Sequence, residues 1–261
     1  MTAGGCTTQH TENIMMTKRL TTLAAIMFLC AGMSNPATAQ ERTGKSIALT
    51  PAHRLGEDWW KKRFEKNVHD LLNQDAEVLI IGDSITHGWD GQKDTWKEAF
   101  GDWRTINMGF SGDRTEHVLW RFDNGPMSAV KPKAIMLMIG TNNVGHGSSN
   151  AKETAEGIQA IVEKLEGYYP ETPVLVLDVF PRSAKASDDM RKKVDEINSY
   201  LTELLKDRKN VERMSVNAKF LDADGNLPNE IMPDALHPNT EGYKIWASSV
   251  HPVLKKMVED R

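Results

Sequence analysis

The sequence predicts an α/β fold, a parallel sheet with helices packed on both faces. Three observations carry that prediction. Short apolar runs of strand length recur along the chain, amphipathic helical stretches fall between them, and the joining loops are short. The 261 residues are 39% hydrophobic and 26% charged, with 19 Gly and 11 Pro, an ordinary globular composition. There is no internal repeat and no linker long enough to divide the chain after residue 57. One domain over 58–261 is therefore the economical reading, with 40–57 a polar arm lacking periodicity.

The elements follow in order. Residues 58–72 predict a helix, with Trp60, Phe64, Val68 and Leu71 spaced by three and four. The run 77–82 (EVLIIG) has unbroken apolar character, the habit of a strand covered on both faces. Further strands are expected at 103–108, 134–139 and 173–180, with a weaker one at 211–216. Residues 152–168 carry Ala155, Ile158, Ile161, Val162 and Leu165 on one helical face. Residues 188–205 do the same with Met190, Val194, Ile197, Leu201 and Leu204. The stretch 239–258 is helical in pattern, with Pro252 expected to kink or divide it.

The N-terminus reads differently. Lys18 and Arg19 precede a short apolar stretch, 20–33, followed by Pro36 and Ala37-Thr38-Ala39, the parts of a secretory signal. Fourteen residues of helix are too short to cross a bilayer of about 30 Å, so no stable membrane anchor is expected. Residues 1–39 are read as leader plus signal peptide, cleaved after Ala39 to leave an exported protein. Cys6 and Cys30, the only cysteines, go with them, which excludes disulfides, thiol nucleophiles and thiolate metal sites. The remaining 30 basic and 35 acidic residues leave no positive surplus to neutralise a phosphate backbone, so nucleic acid is not an expected partner.

In open parallel sheets the binding crevice lies beyond the carboxyl ends of the strands. Ser84 follows the first strand, Gly109 the second and Asn142 the third, and Asp234-Ala235-Leu236-His237 precedes the last helix. A serine hydroxyl needs an imidazole to take its proton, and the imidazole needs a carboxylate to hold its tautomer. Ser84, His237 and Asp234 are the candidates. The Ser84 N–H, the Gly109 N–H and the Asn142 side-chain amide are candidate oxyanion donors. Trp89, Phe110 and Phe180, near strand ends, are candidates to line an acyl pocket, although core packing competes. Asp83 is read as ordering the turn, Arg114 as meeting either a substrate anion or a surface carboxylate, and His87, His117 and His146 as structural. No metal site and no cofactor are expected.

Other classes fit less well. A metallophosphoesterase using Asp83, Asn142, Asp234 and His237 would want an Asp-x-His pair and a Gly-Asn-His element, and neither occurs. An FMN or nucleotide binder would want a glycine-rich phosphate loop, also missing. A non-catalytic carbohydrate-binding relative stays open. No Gly-x-Ser-x-Gly elbow is present.

The stretches IGDSITHGW (81–89), INMGFSGDRTEHVLWR (106–121), IGTNN (139–143), DVFPR (178–182) and DALHPNTEGY (234–243) resemble the SGNH, or GDSL-type, hydrolase superfamily. The likeness is nearest to the catalytic subunits of platelet-activating-factor acetylhydrolase and their bacterial relatives, and runs from about residue 59 to about 254. It implies a flavodoxin-like three-layer sandwich around five parallel strands. It also implies Ser84 as nucleophile, Gly109 and Asn142 in the oxyanion hole, and Asp234 and His237 completing a triad. The implied activity is hydrolysis of short, above all acetyl, esters through an acyl-enzyme. Carbohydrate O-acetyl groups are preferred over lysophospholipid, because no long apolar channel is evident. A homodimer is left open.

Overall fold

A computed structural model of the chain describes residues 45–260. The leader and signal expected over 1–39, and the first residues of the arm, lie outside the described residues. Five strands, β1 (Val78–Gly82), β2 (Thr105–Gly109), β3 (Ala134–Met138), β4 (Val174–Leu177) and β5 (Val211–Met214), form one sheet in the order β2-β1-β3-β4-β5. Every pairing is parallel.

Alternation along the strands explains the three layers. Leu79 and Ile81, Ile135 and Leu137, and Val174 and Val176 project to one face. There they pack against α4 (Thr115–Asn124), α6 (Ala151–Tyr168) and α7 (Asp189–Leu205). Val78 and Ile80, Ala134 and Met136, and Leu175 and Leu177 project to the other face. Its cover is α3 (Lys93–Phe100) and α8 (Thr240–Glu259). Each large apolar side chain removed from water in this way is worth about 1.5–3 kcal/mol. The predicted strands are present, each trimmed by one or more residues at an end, and the predicted first helix is α1 (Asp58–Asn73). Pro252 does not divide the C-terminal helix, which runs on through it.

Residues 45–57 pack on the domain. A short 3-10 turn, Ile47–Leu49, buries Ala48, whose carbonyl accepts from Thr115 Oγ1 at 2.9 Å. The Ala52 N–H donates to Glu116 O at 3.1 Å. Among the described residues no helix is long and apolar enough to cross a membrane.

The strand order has one switch point, at β1 and β3, where the chain leaves the sheet in opposite lateral directions. The register places Gly82, Gly109 and Met138 at the same level, so the segments after β1, β2 and β3 emerge side by side at one end of the sheet.

Candidate active site

After β1 the chain turns into a one-turn helix, α2 (Ser84–His87), whose cap is Asp83: its Oδ1 accepts from Ile85 N at 3.0 Å. Only glycine fits just before this turn, because a Cβ on Gly82 would lie 2.4 Å from Met138 O. Tyr243 on α8 donates its hydroxyl to Ile85 O at 2.6 Å and fixes the turn from behind. Asp83 thus orders the turn, as its position suggested. It is fully buried, one of its carboxylate oxygens has no partner, and burial pushes its pKa up to about 7 against the opposing Ile85 N–H.

Ser84 Oγ lies 2.9 Å from His237 Nε2, and His237 Nδ1 lies 2.6 Å from Asp234 Oδ2. The other oxygen of Asp234 accepts from the backbone N–H groups of His237 at 2.7 Å and Leu236 at 3.1 Å. That closed turn forces Ala235 to a φ of 56°. Burial would raise the Asp234 pKa, but the bonds from His237 outweigh it and hold the carboxylate below its ordinary range. A serine at the end of β1 and an aspartate–histidine turn before α8 therefore form one continuous hydrogen-bonded chain.

Asn142 opens α5 (Thr141–Gly145) after β3 and is buried. Its Nδ2 donates one hydrogen to Asp113 O at 3.0 Å, which orients the amide and leaves its second N–H without an acceptor among the described residues. The Ser84 N–H is also without one. Gly109 does not meet its expectation. Phe110 N–H donates to Gly82 O on β1, so alternation sends the preceding amide to the outer edge of the sheet. There the Gly109 N–H meets Asn107 Oδ1 at 2.9 Å, and the Gly109 carbonyl accepts from Arg63 Nε at 2.6 Å. Glycine is required at 109 for a different reason: a Cβ would sit 2.2 Å from His87 N.

The strand-end position favours Gly109 in the sequence, whereas the geometry favours Gly112, which the motif spacing does not single out. It has a φ of 74°, and its N–H has no acceptor among the described residues. It directly precedes Asp113, whose carbonyl holds Asn142. The signal was available, since a Ser-Gly-Asp turn favours the left-handed conformation at its glycine. Asp113 anchors this loop from beneath. Its carboxylate accepts from Trp60 Nε1 at 2.8 Å, Arg54 Nη1 at 3.1 Å and Arg121 Nε at 3.0 Å. Burial raises the Asp113 pKa, and the Arg121 charge opposes that rise.

The three aromatic candidates belong to the core instead of an acyl pocket. Phe110 lies under the Arg121 guanidinium, 4.0 Å from its ring centre, and packs on Trp60. Phe180 packs on Phe220 and Trp246. Trp89 packs on Phe100, Tyr243 and Trp246, and borders a cavity of about 420 Å³ beside β2 and α1. All three are at most 1% exposed.

Arg114 meets a carboxylate, Glu116, at 2.5 Å, but that partner is buried and not on the surface. His117 accepts the Arg114 N–H at Nδ1, and burial with three nearby arginines lowers its pKa to about 3, so it is neutral. His87 contacts Ser111 Oγ at 2.9 Å and stacks on Trp59.

The hydroxyl, imidazole and carboxylate in series at the switch point of a parallel sheet define a class, the SGNH hydrolases. The chain belongs to the GDSL-like Lipase/Acylhydrolase family, whose model matches residues 80–245. It is 32% identical over 78% of its length to the rat platelet-activating factor acetylhydrolase IB subunit alpha2, covering 87% of that protein. A solved Streptococcus pneumonia protein, provisionally described as a platelet activating factor, is 27% identical with a TM-score of 0.64, covering 77% of this chain and 96% of that one. An acetylxylan esterase from Geobacillus stearothermophilus shares the fold, with a TM-score of 0.55 at 18% identity over 71% of this chain and 95% of that one.

Proposed function

We propose that this acylhydrolase is an exported serine esterase that removes short acyl groups, chiefly acetyl, through an acyl-enzyme. The observation that carries this reading is the 2.9 Å contact between Ser84 Oγ and His237 Nε2, continued to Asp234 at 2.6 Å. Ser84 Oγ attacks the ester carbonyl while Nε2 takes its proton. The collapsing tetrahedral adduct expels the alcohol, which receives that proton from the imidazolium. Water then adds to the acyl-enzyme with His237 again as base, releasing the acid and restoring the serine. The developing oxyanion is met by the Ser84 N–H, the Asn142 amide and the Gly112 N–H, the last in place of Gly109.

Carbohydrate O-acetyl groups are the preferred substrates, with phospholipid-type esters second. The fold shared with an acetylxylan esterase supports the first, and the sequence likeness to a platelet-activating factor acetylhydrolase keeps the second in view. Trp89, Phe110 and Phe180 are packed into the core, so none of them lengthens an acyl pocket, which supports small acyl groups.

The decisive experiment compares p-nitrophenyl acetate, butyrate and octanoate, acetylated xylan and a lysophospholipid, using wild type and Ser84→Ala. Acetyl esters should turn over fastest, and Ser84→Ala should lower kcat by about 10⁴-fold or more. Equal turnover by the variant would falsify the nucleophile assignment. For export, mass spectrometry of the mature protein should find Gln40 at its N-terminus, and an intact leader would overturn that part.

A further inference from the structure

Three arginines packed around the loop after β2 hold carboxylates. Arg54 pairs with Glu57 and Asp113, Arg114 with Glu116, and Arg121 with Asp113. Arg182, in the loop after β4, makes no ion pair among the described residues. Its Nη1 donates to Thr141 O at 3.0 Å and contacts Thr141 Oγ1 at 3.3 Å. Its Nε and Nη2 hydrogens have no acceptor there.

Its position bears directly on the site. Thr141 is the neighbour of Asn142, so the side chain is fastened to the helix that carries the amide donor. The next residue, Ser183, donates its N–H to Ala235 O at 2.8 Å, so the backbone is fastened to the turn that carries Asp234 and His237. Arg191, buried on α7, grips this junction from below, donating to Arg182 O at 3.1 Å and Ser183 O at 2.6 Å. Arg182 therefore spans the gap between the amide side and the imidazole side. A seat exists for it: a Cβ on Gly145 would lie 2.1 Å from Nη1, so only a glycine lets the guanidinium rest against α5. The Arg182 charge also reaches Asp83 and His146.

A partly buried guanidinium, braced at one nitrogen with its other donors unused and no carboxylate within ion-pair distance among the described residues, is built to meet a planar anion. We propose that Arg182 is a specificity residue that recognises a carboxylate on the substrate, so that the enzyme prefers esters bearing a negative charge near the scissile bond. This rests on the esterase reading above and adds the charge of its substrate. A uronate-bearing acetylated saccharide has that chemistry on the alcohol side, and a dicarboxylic half-ester has it on the acyl side.

Two matched pairs separate the sources. 4-Nitrophenyl hemisuccinate against 4-nitrophenyl butyrate places the charge on the acyl group, and 4-acetoxybenzoate against phenyl acetate places it on the alcohol. In the wild type, kcat/KM for the charged member of one pair should exceed that of its neutral partner by about tenfold. Arg182→Gln should bring that ratio to about one or below, Arg182→Lys should keep part of it, and Gly145→Ala, which displaces the guanidinium without removing its charge, should also reduce it. A purely bracing role would lower both members alike, so an unchanged ratio in Arg182→Gln overturns the proposal. So does a wild type with no preference in either pair. If no ester is hydrolysed faster by wild type than by Ser84→Ala, the esterase reading itself has failed. Calorimetric titration of the Ser84→Ala protein with 4-nitrophenyl hemisuccinate and 4-acetoxybenzoate then reads the anion site alone. Binding of either that is lost on adding Arg182→Gln supports it, and no binding of either overturns it.

Discussion

The amide side of the crevice is buried and cross-braced, whereas the imidazole side facing it is open to water. Asp113 has no exposed side-chain surface and accepts from Trp60, Arg54 and Arg121 while its carbonyl orients Asn142. Asp234 and His237 expose 57% and 42% of their side chains, and the Asp234 bonds that shape their turn are local, with an outside tie from Ser183 N–H to Ala235 O. The first half is preorganised by the packing of several elements, which is what stabilising a developing charge requires. The second is set by local turn chemistry and stays in contact with solvent, where protons arrive and leave.

Substitutions should separate the halves. His237→Ala should reduce kcat by about 10⁴-fold or more while thermal unfolding barely moves, because an exposed side chain leaves no cavity. Asn142→Ala should reduce kcat by about 10²- to 10³-fold, and should also lower the Tm, since the buried Asp113 carbonyl loses its partner. Equal unfolding temperatures for the two variants would break the distinction.

The pH profile sharpens it further. Burial would raise the Asp234 pKa, but the His237 bonds hold it below the ordinary carboxylate range, so it keeps its charge into mildly acidic solution. The acid limb of kcat/KM should fall tenfold per pH unit, the signature of one proton. A hundredfold fall per unit would show Asp234 titrating too. The smallest effect concerns stability. Asp83 has a folded pKa of about 7 against an ordinary 3.8, so the folded state holds the extra proton between those values. Stability should therefore decline as pH rises from about 4 to about 7 and level off above. Asp83→Asn should flatten that decline in thermal unfolding curves recorded across the range.

Much of this is legible in the sequence. The β1, β3 and β4 runs announce themselves because both their faces are covered, and Ser84, Asn142 and the Asp234–His237 turn stand at strand ends or a helix entry, where short motifs suffice. Helix α4 leaves no clear periodicity in the sequence because its inner face buries Glu116, His117 and Arg121 beside its apolar residues. Gly109 yields to Gly112 because strand phase decides which amide faces β1 and which faces outward, and that phase is fixed by register with a neighbour. Trp89, Phe110 and Phe180 failed as pocket residues because an aromatic ring at a strand end can turn inward as readily as outward.

The segment before α1 has a practical bearing on how the enzyme is handled. Arg54 Nη1 reaches Ser111 O at 2.7 Å, and a Cβ on Gly112 would lie 3.2 Å from the same nitrogen, so this stretch buttresses the very peptide proposed to face the oxyanion. A recombinant version trimmed to begin at the first long helix would keep its sheet yet lose that buttress, and would be a folded but enfeebled catalyst.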